Sequence, residues 1–238
     1  MLKKLISLFS NLFKSFAGIG LIGFGLIAYI YWHVKPTLPK DDFLNAYRAP
    51  ELTRIYDRNF QLVAEWAPVN RINVKFSDIP EKVIAAFLVA EDKNFYYHSG
   101  IDPVRITRAI LQNVTQSSRS LIGASTITQQ VAKNFLIGNE KSMLRKFREA
   151  FATISIENKL SKDQILELYL NQIYFGSGAY GIQSAALKYF NKSIEKLSIA
   201  EAALLASLPK APASLSVSKN IKKLKNRRNS IINALYEQ

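Results

Sequence analysis

Ala90-Glu91-Asp92-Lys93-Asn94-Phe95-Tyr96-Tyr97-His98-Ser99-Gly100-Ile101-Asp102 is the stretch on which the reading of this chain turns. Upstream of it, Val83, Ile84, Ala86, Phe87 and Ala90 recur at helical spacing, so the predicted helix ends where two carboxylates stand side by side. A carboxylate in that place has one apolar side and one open side. Such surroundings favour its protonated form and suit proton transfer near neutral pH. An isolated Glu-Asp pair at a fraying helix end is also an ordinary surface feature, so the rest of the chain must decide.

Outward from this stretch the pattern is mostly helical. Asp102-Pro103 is a helix start, with Asp as N-cap and Pro at the first helical position, and the helix is expected to run to about Val114. Thr115 to Ile122 is polar and serine-rich, a mobile loop by composition. Ser125 is expected to cap the next helix, on which Thr126, Gln130 and Lys133 fall on one face. A helix from about Ser142 to Leu160 sets Arg145 and Glu149 one turn apart, which by itself is an ordinary surface ion pair. Ser161-x-x-Gln164 and Ser198-x-x-Glu201 are capping boxes that open two further helices, the second ending before Pro209 and Pro212. The glycines from Tyr174 to Gly181 exclude a helix interior and mark a tight connection. Ile221 to Tyr236 reads as a basic amphipathic helix, solvated or lying on anionic lipid. Strand signals are confined to the N-terminal side: Leu52 to Tyr56 and Phe60 to Trp66 as a hairpin about Asp57-Arg58-Asn59, and Arg71 to Phe76 as a third strand.

The amino end has a different character. No charged residue occurs from Phe16 to Trp32, and the run closes on Tyr29, Tyr31 and Trp32, which favour the headgroup region. The run reaches roughly 26 Å as a helix, so flanking residues such as Phe13 and Val34 are needed to match a core of ~30 Å. Its bulky exit disfavours cleavage, and Lys3, Lys4 and Lys14 before it orient the chain with its N-terminus in the cytoplasm. Residues 1–15 are therefore expected to be cytoplasmic, 16–34 a transmembrane signal anchor, 35–51 a proline-bearing linker and 52–238 the working domain outside. The 238 residues carry a net charge of +14, which calls for an anionic partner; an exported domain makes nucleic acid a poor one. Without cysteine there is neither a disulfide framework nor a thiolate metal site.

Four segments then resemble one family. Glu91-Asp92-x-x-Phe95-x-x-His98-x-Gly100-x-Asp102 resembles the first signature of glycosyltransferase family 51, the peptidoglycan glycosyltransferases of class A penicillin-binding proteins and monofunctional transglycosylases. Gly123-Ala124-Ser125-Thr126-Ile127-Thr128-Gln129-Gln130-Val131-Ala132-Lys133-Asn134 resembles the second, Arg145-Lys146-x-x-Glu149 the third, and Glu167-Leu168-Tyr169-Leu170-Asn171 the fourth, in the family's order. The resemblance spans roughly Leu52 to the end. It implies a mainly α, lysozyme-like domain with a cleft between two lobes, here with a small N-terminal β element and one preceding transmembrane helix.

The same resemblance implies polymerisation of lipid II into β-1,4 glycan strands, inverting an α-linked donor as undecaprenyl pyrophosphate departs. Glu91 would be the general base on the acceptor 4-hydroxyl, and Glu149 would stand at the leaving-group side. Lys133, Arg145 and Lys146 would compensate the pyrophosphate; Ser125, Thr126 and Gln130 would hydrogen-bond the donor; Asp92, Phe95 and His98 would shape the loop that holds Glu91. Lipid II, the growing strand and the membrane are the implied partners at the outer face of a bacterial inner membrane, with other cell-wall synthesis proteins as further candidates. No organic cofactor is called for. A divalent cation, Mg²⁺ or Mn²⁺, would be held jointly with the pyrophosphate, since no His/Asp/Glu spacing describes a protein cage.

Two other classes compete. A lysozyme-like glycan-cleaving enzyme also uses an acid in a helical cleft but has no need of Lys133 and Arg145 at a pyrophosphate. A non-catalytic anchored scaffold has no need of the whole set. Ser193-x-x-Lys196 and Ser216-x-x-Lys219 match a penicillin-binding spacing without the Lys-Thr-Gly or Ser-x-Asn companions, so transpeptidase activity is not expected of this chain.

Overall fold

A computed structural model describes residues 2–38, 53–66, 71–115, 123–134, 142–209 and 220–237. The predicted linker from Pro39, the serine-rich loop from Gln116, and the pair Ser216 and Lys219 lie outside the described residues.

The described chain is mainly helical. In order it runs α1 (Leu2–Val34), β1 (Thr53–Tyr56), β2 (Leu62–Trp66), α2 (Glu81–Glu91), α3 (Pro103–Thr115), α4 (Ile127–Ala132), α5 (Met143–Lys159), α6 (Lys162–Gln172), β3 (Tyr174–Gly176), β4 (Ala179–Tyr180), α7 (Ile182–Phe190), α8 (Ile199–Ser207) and α9 (Ile221–Tyr236). Both capping boxes form as read: Ser161 with Gln164 opens α6, and Ser198 with Glu201 opens α8. Asp102 Oδ1 accepts from the Arg105 N–H at 2.9 Å at the start of α3.

The core gathers around α2 and α6. Val83, Ala86 and Phe87 of α2 are buried, and so are Ile165, Leu166, Tyr169 and Leu170 of α6. The Phe87 ring meets Tyr169 and Phe175 edge-on at 6.3 and 5.9 Å between centroids, the geometry that aromatic quadrupoles prefer. Small residues on α8, Ala202, Ala203 and Ala206, are fully buried and let it pack closely against α2 and α9.

The predicted third strand does not form. From Ile72 to Lys75 the chain has no regular secondary structure and no strand beside it, and Phe76 opens a short 3-10 turn; only Arg71 makes an isolated bridge, to Tyr180. Its backbone is satisfied by side chains of α6 and α7 instead. Ile72 N–H donates to Ser184 Oγ (3.0 Å), Val74 N–H to Asn171 Oδ1 (2.9 Å) and Phe76 N–H to Glu167 Oε2 (2.7 Å), while Asn171 Nδ2 returns a bond to the Val74 carbonyl (2.8 Å). Glu167 and Asn171 of the fourth signature therefore strap the segment leading into this turn onto the helical core. The predicted hairpin β1–β2 is present and antiparallel, with an irregularity between Ile55 and Tyr56. The glycine-rich connection folds as a second hairpin, β3–β4, which the periodicity did not show. At its exit Gly181 has φ +81°, and a Cβ there would lie 2.7 Å from the Asn171 carbonyl oxygen.

Helix α1 meets the domain at its C-terminal end. Val34 is buried, and the Tyr31 ring stands edge-on to Phe151 of α5 at 5.0 Å. Earlier along the helix Leu21, Ile22, Phe24, Leu26 and Ile27 are exposed. Among the described residues no helix is long and apolar enough to cross a membrane; the side chains of residues 2–13, Ser15, Phe16 and Ile19 lie outside that description.

Candidate active site

Glu91 is the last residue of α2, 9% exposed, and its two carboxylate oxygens have separate donors. Gln130 Nε2 donates to Oε2 at 3.0 Å, and Arg227 Nη2 donates to Oε1 at 3.2 Å. The Glu91 carbonyl, one of the acceptors left over at a helix C-terminus, accepts from Arg105 Nη1 of α3. The surroundings thus differ from the expected apolar flank. An adjacent guanidinium and an amide N–H both favour the ionised carboxylate, opposing what burial does.

Asp92 points the other way, into the protein, with its side chain fully inaccessible. It accepts from His98 Nε2 (3.1 Å) and from the Ile127 N–H (3.0 Å), and Arg105 Nη1 lies 3.5 Å away. Because His98 Nδ1 accepts from the Gly100 N–H at 3.1 Å, the imidazole carries its proton on Nε2. The Asp92 carboxylate therefore ties the end of α2 to the first turn of α4, where a negative charge is favoured. Phe95 is fully buried beneath Lys162, whose Nζ lies 4.5 Å from the ring centroid. Asp92, Phe95 and His98 form the interior of the loop behind Glu91 rather than a surface of the cleft holding the basic cluster.

The cap of α4 lies one residue later than expected. Thr126, not Ser125, is the N-cap: its hydroxyl accepts from the Gln129 N–H (3.2 Å) and donates to the Gly100 carbonyl (2.5 Å), and Gln129 Oε1 accepts from the Thr126 N–H (3.0 Å). The reason was present in the sequence. Thr126-x-x-Gln129 supplies the amide that a capping box needs, whereas Ser125-x-x-Thr128 does not. Thr126 has no exposed surface and its hydroxyl is committed, so it does not share the cleft-facing stripe with Gln130 and Lys133. Ser125 does stand at the cleft, 3.5 Å from Lys146 Nζ.

On α5, Glu149 is 1% exposed and held by two cations, Arg145 Nη1 at 3.1 Å and Lys146 Nζ at 2.5 Å. These groups border one cleft of about 420 Å³ whose lining joins Glu91 and Gln130 to Lys133, Arg145, Lys146 and Glu149. A second hollow of about 430 Å³ adjoins it, lined by Lys93, Asn94, Arg108 and Gln112. Glu91 and Arg105 border both. The arrangement sets a proton acceptor between two polar basins, one of them rich in ammonium and guanidinium groups able to hold an anionic oxygen.

Two residues at Glu91 escaped the sequence reading. Arg105 and Arg227 were unmarked among many cations; for Arg227 the only available signal was its place between Leu224 and Ile231, three and four residues away on the buried face of α9. As for a metal, the described residues contain no group of three or more His, Asp or Glu side chains suited to one. Both oxygens of Glu149 already accept from cations, so this donor set does not fit a resident divalent ion.

Comparison with known proteins agrees with the four segments. The transglycosylase family model matches residues 59–236. Penicillin-binding protein 1A of Rickettsia prowazekii (strain Madrid E) is 47% identical over 226 residues, covering 94% of this chain and 29% of that protein. Penicillin-binding protein 1A of Neisseria gonorrhoeae is 42% identical over 238 residues, covering 100% and 29%. A crystal structure of penicillin-binding protein 1A from Haemophilus influenzae matches 79% of this chain and 18% of its own at 26% identity, with a TM-score of 0.41. The chain thus spans under a third of the length of these curated relatives. With a family match over most of its length, and residues of three of the four signatures meeting around one cleft, the chain belongs to the transglycosylase family, glycosyltransferase family 51.

Proposed function

We propose that this chain polymerises lipid II into β-1,4 glycan strands at the outer face of a bacterial inner membrane, displacing undecaprenyl pyrophosphate with inversion. The observation that carries the reading is that Glu91 shares a single cleft with Lys133, Arg145, Lys146 and Glu149.

The donor sugar lies in the cation-lined cleft with its pyrophosphate toward Lys133, Arg145 and Lys146. The acceptor 4-hydroxyl comes from the adjoining hollow past Glu91. As its oxygen bonds to the donor anomeric carbon, Glu91 takes the hydroxyl proton, and the carbon–oxygen bond to pyrophosphate breaks with its electron pair leaving on the phosphate. Direct displacement from the face opposite the leaving group inverts the centre, so one base is required and no glycosyl-enzyme forms. The three cations offset the charge that develops on the departing oxygen. Glu149 keeps Arg145 and Lys146 gathered against their mutual repulsion. Since the donor set does not fit a resident divalent ion, no step runs through one.

Anchoring by α1 belongs to the same proposal. It is supported by the uncharged run from Phe16 to Trp32, the exposed Leu21, Ile22, Phe24, Leu26 and Ile27, and Lys14 ahead of them. The N-terminus is then cytoplasmic, and the domain stands beside the leaflet that presents lipid-linked substrate.

Incubating the full chain with labelled lipid II, with and without the glycan-polymerase inhibitor moenomycin, tests the reading. Inhibitor-sensitive conversion into long glycan is the expected result. Shortening of preformed glycan without polymer would replace it with the lysozyme-like reading, and neither activity would favour a binding scaffold.

A further inference from the structure

We infer that Arg227, on the C-terminal helix α9, is a positioning residue for Glu91, fixing both the direction and the charge of the carboxylate. The inference rests on the reading of Glu91 as the base and adds α9 to the working site.

Arg227 is delivered from a rigid support. Leu224 and Ile231 on the same face of α9 are 1% and 5% exposed, and the helix packs against both α8 and α2. The guanidinium therefore reaches Glu91 Oε1 from a docked helix, not as a loose surface arm, and its side chain is only 21% exposed. The other oxygen is engaged by Gln130, a neutral amide that orients the carboxylate without contributing a full charge. Arg105 bonds the Glu91 backbone carbonyl, three carbons away from the carboxylate. Arg227 thus supplies a direct charge pair to the carboxylate itself.

Several of the other charged and titratable neighbours have partners of their own. Asp92 is occupied by His98, the Ile127 N–H and Arg105. Tyr169 of α6 lies buried nearby; burial first, then Glu91 and Asp92, pushes its hydroxyl well above the usual tyrosine range with Arg227 acting in the opposite direction, so it stays neutral. Lys133, Arg145 and Lys146 border the same cleft, but Glu149 sits between the last two. Without Arg227, a carboxylate this buried loses a cation in direct contact with it and binds its proton more tightly. A protonated Glu91 accepts no proton from the acceptor sugar.

The test compares the pH profile of kcat/KM for the full chain with that of Arg227→Met, Arg227→Lys and Glu91→Gln, using labelled lipid II and parallel melting curves. Arg227→Met is expected to move the acidic limb upward by about one unit or more, the shift that loss of a neighbouring opposite charge produces, and to regain rate as pH rises. Arg227→Lys is expected to keep the limb near its original place with a reduced rate, because charge survives while the fork geometry is lost. An unmoved limb in Arg227→Met overturns the inference, whatever the rate or melting temperature. If that variant fails to fold, Arg227→Gln decides by the same criterion, since it keeps a donor and removes the charge. Polymerisation retained in Glu91→Gln would instead sink the underlying reading of the base, a result distinct from an unmoved limb beside an inactive Glu91→Gln.

Discussion

Arg145 and Glu149 lie one helical turn apart with Nη1 3.1 Å from Oε2, and Glu149 is 1% exposed with Lys146 Nζ on its other oxygen. A pair that the sequence presents as a solvated surface contact is built on a buried carboxylate facing a cleft, with Arg145 largely covered and Lys146 half exposed. Enclosure changes its weight. Exposed i,i+4 pairs contribute a few tenths of a kcal/mol, whereas removing one partner of a buried pair leaves a charge without compensation. Glu149→Gln should accordingly lower both the melting temperature and turnover, with donor-analogue binding altered because Arg145 and Lys146 lose their common anchor. Unchanged binding and turnover in a folded Glu149→Gln would show that the triad is structural alone.

Glu91→Gln keeps the size of the side chain and its hydrogen-bonding capacity but removes the proton acceptor. Polymerisation should fall by at least ~10²-fold, while affinity for lipid II persists. Measuring binding and single-turnover rates on the same preparation separates the two effects.

Lys133 is exposed and follows Ala132 at the end of α4, so Lys133→Met should cost little stability. Turnover should nonetheless be abolished and affinity for a phosphate-bearing donor mimic reduced. The difference from wild type should be greatest at low salt, where charge attraction is least screened. Arg145→Lys should be intermediate, keeping charge without the planar fork. A sharp fall in melting temperature with intact mimic affinity would move the pyrophosphate role to other residues.

Thr126→Ala removes a buried cap and the bond to the Gly100 carbonyl together. A loss of about 1–3 kcal/mol in unfolding free energy is expected from the cap and from the buried acceptor left unpaired. Donor-mimic affinity of the folded fraction should hold, since the hydroxyl never reaches the cleft. Gly100→Ala is expected to be worse tolerated: its φ is +85°, and a Cβ would lie 2.6 Å from Thr153 Cγ2. Denaturant titration measures both.

Asp102 provides a pH test. The Arg105 N–H first, with Asn94, His98 and the Val104 N–H adding to it, holds its carboxyl below the usual aspartate range against the opposing pull of burial. A folded pKa lower than the unfolded one contributes stability that is full above the unfolded value, ~3.9, and is lost as pH falls through the folded value. The stability difference between wild type and Asp102→Asn should therefore be largest near neutrality and shrink below about pH 4. A difference that stays constant into acid would remove Asp102 from the acid response.

The sequence by itself determined what is decided within a turn or two of helix. Capping boxes at Ser161 and Ser198, the Asp102-Pro103 start and the apolar spacing up to Ala90 each rest on contacts between residues three or four apart, so helix positions were legible, and four motifs named the family. Placement across the core was not. Thr126 turning inward, Ile72 to Phe76 being strapped by Glu167, Asn171 and Ser184, and the enclosure of Glu149 all depend on partners supplied by other elements. Arg227 is the extreme case, 136 residues from Glu91 and one cation among several on its helix. Only the docking of α9 by Leu224 and Ile231 against the core selects it, because packing brings together side chains between which the chain holds no local relation.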